Sequence, residues 1–150
     1  MATNSKDVSV LNPLIATLID SVEGYQKSAG DIDNSALADK FNARARERQS
    51  AATKLQAAVA TAGGKPEDDG SLLGDAHRAF QSLKEAVMSR DDKAIVAEIE
   101  RGEDHLKRKF EIALADADLS PGARETLDEA WRSVRFGHDE MSALKHSMGN

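Results

Sequence analysis

Five stretches of the chain place apolar residues three and four positions apart, the spacing that lines one face of an α-helix. In the first, Leu11, Ile15, Leu18, Val22 and Tyr25 recur by four, three, four and three, which predicts a helix from about Asp7 to Ala29. Pro13 falls inside it. Proline sits without loss only in a first turn, so either the helix starts near Asn12, which can cap it, or its first turns are kinked. A second stripe of Leu37, Phe41, Ala45, Ala52, Leu55 and Val59 predicts a helix from about Asn34 to Ala62. The short polar turn of Gly30, Asp31, Asp33 and Asn34 makes the two antiparallel neighbours. Gly63 and Gly64 end the second helix, and Lys65 to Gly70 is a polar loop containing Pro66.

Leu72, Leu73, Ala76, Phe80, Leu83 and Val87 form the apolar side of a shorter helix from Ser71 to about Ser89. Its place between two helix pairs makes it a crossover, and nineteen residues at 1.5 Å each reach roughly 28 Å. Phe80 and Leu83 are therefore expected against the bundle. The next helix starts at about Asp91, with Ile95, Ile99, Leu106, Phe110 and Ala113 inward and Glu103 at the edge of the stripe. After a turn at Asp116 to Leu119, the last helix carries Leu127, Trp131, Val134, His138, Met141, Lys145 and Met148 in one narrow seam. Ser120 caps it and Pro121 takes its first position, where no amide is wasted.

Composition narrows the class without changing this picture. At 150 residues the chain fits one domain, residues 1–150, able to bury roughly 70% of its unfolded surface. Aromatic residues are only 4% while alanine, leucine, glutamate, lysine and arginine abound, which favours an all-α fold. With a net charge of −6 and acids and bases interleaved, there is no concentrated basic surface for nucleic acid. No apolar run reaches the roughly 20 residues of a membrane span, and the polar first residues predict no signal peptide. The absence of cysteine removes disulfides, thiolate metal sites and thiol nucleophiles, and fits the cytoplasm. A second copy of the chain or another protein remains as the partner class.

The candidate chemistry lies where polar residues interrupt the stripes. Completing the second stripe lands on Arg48, with Arg44 close beside it, and a basic residue at a seam either snorkels or pairs with an acid. Glu103 and, on the last helix, Arg135 and His138 complete the set of polar core candidates. His138 on an apolar face reads first as a satisfied core histidine, and His77, His105 and His146 fall at the flank or outside of their helices. No strained turn or glycine-rich elbow presents a serine, so no nucleophilic constellation is available.

The segments LIDSVEGY (Leu18 to Tyr25), GSLLGDAHRAF (Gly70 to Phe80), RGEDHL (Arg101 to Leu106) and GHDEMSALKH (Gly137 to His146) resemble bacterial ferritin-like four-helix-bundle proteins classed as a domain of unknown function. The resemblance covers nearly the whole chain. It implies a ferritin-like bundle with an additional crossover helix, and it sets a template of one carboxylate from each of two helices and Glu-x-x-His from each of the other two. Here the last helix reads Arg135-x-x-His138, the second reads Arg48-x-x-Ala51, or Glu47-x-x-Ser50 one residue out of register, and Glu23 of the first lies one to two turns off the common depth.

Two cations in place of two anionic ligands repel a divalent metal, so no metal, cofactor or catalytic residue is expected. The leading expectation is a non-enzymatic, stress-associated or interaction protein with a degenerate metal site, in which a buried ionic network replaces the metal centre. The alternative is a metal-binding carboxylate oxidase or iron-handling protein with a reduced site of Glu23, Glu47, Glu103 and His138 holding Fe or Mn. A carrier of an apolar ligand is a third, weaker reading.

Overall fold

The computed structural model describes residues 4–68 and 92–147. They form four helices and no strand: α1 (Ser5–Asp31), α2 (Ser35–Thr61), α3 (Asp92–Leu114) and α4 (Pro121–Ser147). The expected crossover helix from Ser71 to Ser89, with His77, Phe80 and Leu83, lies outside the described residues. Among the described residues no helix is long and apolar enough to cross a membrane.

Local chemistry fixes the helix ends. The side chain of Asn4 accepts from the Asp7 amide at 3.1 Å, so α1 begins two turns before Pro13 and runs through it as one helix. Of the two readings of Pro13, a start near Asn12 does not hold. Proline leaves the Ser9 carbonyl without its helical donor, and both residues are exposed, where water replaces the missing amide. Asn34 caps α2 in the same way as Asn4 caps α1. At the other end Gly63 takes a φ of 86°, the left-handed conformation that ends helices. Ser120 caps α4 through the Ala123 amide at 3.2 Å, and Pro121 opens the helix.

The helices pack around a square. α1 lies beside α2 and α3, and α4 beside α2 and α3, so α2 and α3 face each other across the diagonal. Polar ties gather at one end: the Asn4 amide donates to the Ala62 carbonyl at 2.8 Å, and Lys6 meets Asp116 at 3.0 Å. There too Asp7, buried near the start of α1, accepts from both the amide (2.9 Å) and the hydroxyl (2.6 Å) of Ser120. This end thus holds the starts of α1 and α4 and the ends of α2 and α3. Every neighbouring pair is therefore antiparallel, and the connection from Thr61 to Asp92 joins opposite ends of the bundle.

The core is not continuous. One apolar cluster, including Leu11, Ile15, Leu18, Leu55, Phe110 and Leu127, fills the half of the bundle with the polar ties. A second, including Val22, Phe41, Ile95, Ile99 and Met141, fills the other half. Each fully buried side chain of this kind contributes roughly 1.5–3 kcal/mol. Between the clusters, where Arg48 and Glu103 interrupt the stripes of α2 and α3, lies a layer of charged side chains.

Candidate functional site

Arg48 is the largest fully buried side chain of the described residues, with none of its surface exposed, and Glu103 keeps only 2%. The Arg48 Nη2 group donates to Glu103 Oε1, joining α2 to α3 across the diagonal of the square. Its Nη1 group donates to Glu47 Oε1 at 2.7 Å, and Glu47 Oε2 accepts from Arg44 at 2.7 Å. The second oxygen of Glu103 accepts from the hydroxyl of Tyr25 at 2.8 Å. Each of the four carboxylate oxygens is thus engaged by a protein donor, and two arginines balance two glutamates.

The surroundings are built for this cation. An added Cβ at Gly137 would stand 2.8 Å and 2.9 Å from the two Arg48 Nη atoms and 2.9 Å from Glu47 Oε1, so α4 carries glycine where the guanidinium needs room. Toward the surface Arg44 is almost buried. Its Nε lies 3.9 Å from Glu140, and its guanidinium carbon is 5.6 Å from the ring centroid of Phe136, an aromatic side chain 61% exposed.

Electrostatics follow from the geometry. Burial pushes the Tyr25 phenol well above its usual range, the negative charge of Glu103 adds to this, and the charges of Arg48 and Arg44 only partly oppose it. For Arg48, burial alone favours the neutral form, but the attraction of Glu103, Tyr25 and Glu47 outweighs it and holds the pKa above the ordinary arginine value. Removing two charges from water costs several kcal/mol each, and the pairing roughly repays this. Deleting one partner leaves a buried charge alone, at about 3–5 kcal/mol.

Of the residues singled out in the sequence, Arg44, Arg48, Glu103 and Glu47 meet in this layer. His138 is buried but turns to the rim, its Nε2 2.7 Å from Asp104 and its Nδ1 3.3 Å from Asp139. Through Asp104 it links α4 to α3. Arg135, expected inward, is exposed instead. It stands 100° around the helix from Val134 and a further 60° beyond His138, which itself already marks the edge of the buried face.

Tyr25 and Gly137 were not visible as site residues. Counting from the turn puts Arg48 level with Ala16 and Thr17, whereas Tyr25 reaches the layer because side chains lean toward the N-terminus of their own helix. On antiparallel α1 and α2 those leanings converge. Tyr25 is the chain's only tyrosine and falls on a buried seam, where a hydroxyl requires a partner; that was the available signal.

The donor set does not suit a divalent metal. Glu23 is exposed on α1, His138 is engaged by Asp104 and Asp139, and Glu47 and Glu103 already face a guanidinium. Among the described residues no group of three or more histidines and carboxylates is gathered to hold a metal ion. No curated protein matches the chain. A family model described as a domain of unknown function (DUF2383) matches residues 6–116, a span containing Tyr25, Arg44, Glu47, Arg48 and Glu103 but ending before α4.

Proposed function

The chain belongs to the family described as a domain of unknown function, DUF2383, and from that premise we propose a non-enzymatic, ferritin-like bundle whose central ionic layer stands in place of a metal centre. It acts in the cytoplasm as a stress-associated or interaction protein. The ferritin-like reading is supported by four antiparallel neighbours and by a connection from Thr61 to Asp92 that joins opposite ends, the layout of a bundle with one long crossover. A chain free of cysteine supports a reducing compartment.

The observation that carries the functional reading is the commitment of Glu47 and Glu103 to Arg44, Arg48 and Tyr25. Carboxylates so engaged cannot also serve as ligands, and among the described residues no group of three or more histidines and carboxylates is gathered to take their place. The test is elemental analysis of protein grown with added iron and manganese and purified without chelator. Less than about a tenth of an equivalent of Fe, Mn or Zn per chain is expected. One tightly held ion per chain would overturn the reading in favour of an iron-handling or oxidase protein.

A further inference from the structure

We infer that the Arg48 guanidinium is the resident cation of the bundle centre, and that it closes a divalent-cation site which Glu47, Glu103 and Tyr25 would otherwise offer. This rests on the reading just given and goes beyond it, since it assigns the exclusion of metal to one side chain.

Two carboxylates from helices on opposite corners of the square converge on a single positive group, Glu47 at 2.7 Å from Nη1 and Glu103 on Nη2. A phenol oxygen stands 2.8 Å from the second Glu103 oxygen. An all-oxygen set of this kind suits a hard cation such as Mn2+. The guanidinium prevents this in two ways. It occupies the space itself, abutting Gly137 so closely that not even a methyl group fits, and its fixed charge repels a second cation in a medium that screens weakly. The Arg48 Nε atom is buried without a hydrogen-bond partner, so the side chain is held from its two Nη groups alone. Its removal leaves the buried carboxylate of Glu103 and the part-buried carboxylate of Glu47 without the cation they share, with Arg44 still paired to Glu47.

The test compares the full chain with Arg48→Gln and with Arg48→Gln combined with Glu103→Gln, using Mn2+ as the probe and electron paramagnetic resonance of free Mn2+ as the readout. The parent is expected to leave Mn2+ free. R48Q is expected to bind one equivalent at least tenfold more tightly than the parent, and the added E103Q is expected to abolish that gain. If R48Q does not fold unaided, Mn2+ is expected to restore its helical circular dichroism while sodium chloride of equal ionic strength does not; failure to restore it overturns the inference. A folded R48Q with no gain in affinity overturns the inference alone. Stoichiometric Mn2+ on the parent, removed by Glu103→Gln, overturns both the inference and the proposed function.

Discussion

Replacing Gly137 by alanine is expected to destabilise the bundle, while the same exchange at Gly102 is expected to stabilise it. Both glycines lie inside helices, where alanine is favoured by about 1 kcal/mol. At Gly102 a Cβ meets nothing within 4 Å among the described residues, so that gain appears in full, a rise in melting temperature of roughly 2–4 °C. At Gly137 the Cβ would lie 2.8 Å from Arg48 Nη1 and 2.9 Å from Glu47 Oε1, and both groups must retreat by about half an ångström to reach ordinary contact. An exposed arginine would swing aside at no cost. Arg48 is fixed by Glu47, Glu103 and the Val134 carbonyl, and losing one buried hydrogen bond between charged groups costs about 1.5–3 kcal/mol. After the propensity gain is subtracted, G137A is expected to lose about 0.5–2 kcal/mol. Urea unfolding followed by circular dichroism measures both changes. In an Arg48→Met background the penalty is expected to shrink, since the two guanidinium contacts are gone and Glu47, no longer held by Arg48, can turn aside. If G137A matched G102A in gaining stability, the guanidinium would be free to move and the ionic layer would not be a fixed object.

Because Tyr25 is the only tyrosine, its ionisation can be followed by absorbance, and it is expected to begin well above the range of a free phenol; titration near pH 10 would contradict its burial. Its raised pKa means that the folded state holds the proton more tightly. The corresponding stability is complete below about pH 10 and is lost as pH rises from there through the folded-state value. Tyr25→Phe removes this component and, by leaving a Glu103 oxygen without its donor, is expected to cost about 1–3 kcal/mol in urea unfolding. Asp7→Ala deprives the Ser120 amide and hydroxyl of their acceptor and is expected to cost about 1–2 kcal/mol, with faster hydrogen exchange at the first amides of α4; unchanged exchange would argue against the tie. Arg135→Met, on an exposed side chain, is expected to shift stability by less than about 0.5 kcal/mol, and a larger loss would mean that Arg135 reaches the ionic layer after all.

The helices were legible because each carries its own evidence. The period of apolar residues marked the four described helices to within a few residues, and Asn34, Gly63, Ser120 and Pro121 act as their chemistry requires. The start of α1 was less legible, since Asn4 caps it and Pro13 pointed to Asn12 instead. At the site, register placed Arg48 on the inward stripe of α2, but register describes one helix at a time. Which acid a buried arginine meets depends on how two helices are set against each other. The diagonal contact of Arg48 to Glu103 and the reach of Tyr25 from α1 to Glu103 on α3 are facts of that kind. Arg135 illustrates the opposite failure, a residue assigned by its spacing from His138 when its own angle around α4 turns it outward. Gly137 left no signal because a missing side chain is informative only once its neighbour is known.

The division of the core into two apolar clusters has a consequence for how the helix pairs can move. Packed leucine and alanine faces are nearly interchangeable from one turn to the next, and a shift of about 5.4 Å of one hairpin along the other keeps much of that contact. In this bundle such a slide would carry Arg48 away from Glu103 and set each beside aliphatic side chains. Glu103 would then sit in the core without a donor while Arg48 kept only Glu47, and an uncompensated buried charge costs about 3–5 kcal/mol, a large share of the stability of a domain. The charged layer works as a detent, permitting one longitudinal position and penalising the next, so the two helix pairs are held in step by Tyr25, Arg48 and Glu103 rather than by the fit of the whole apolar surface.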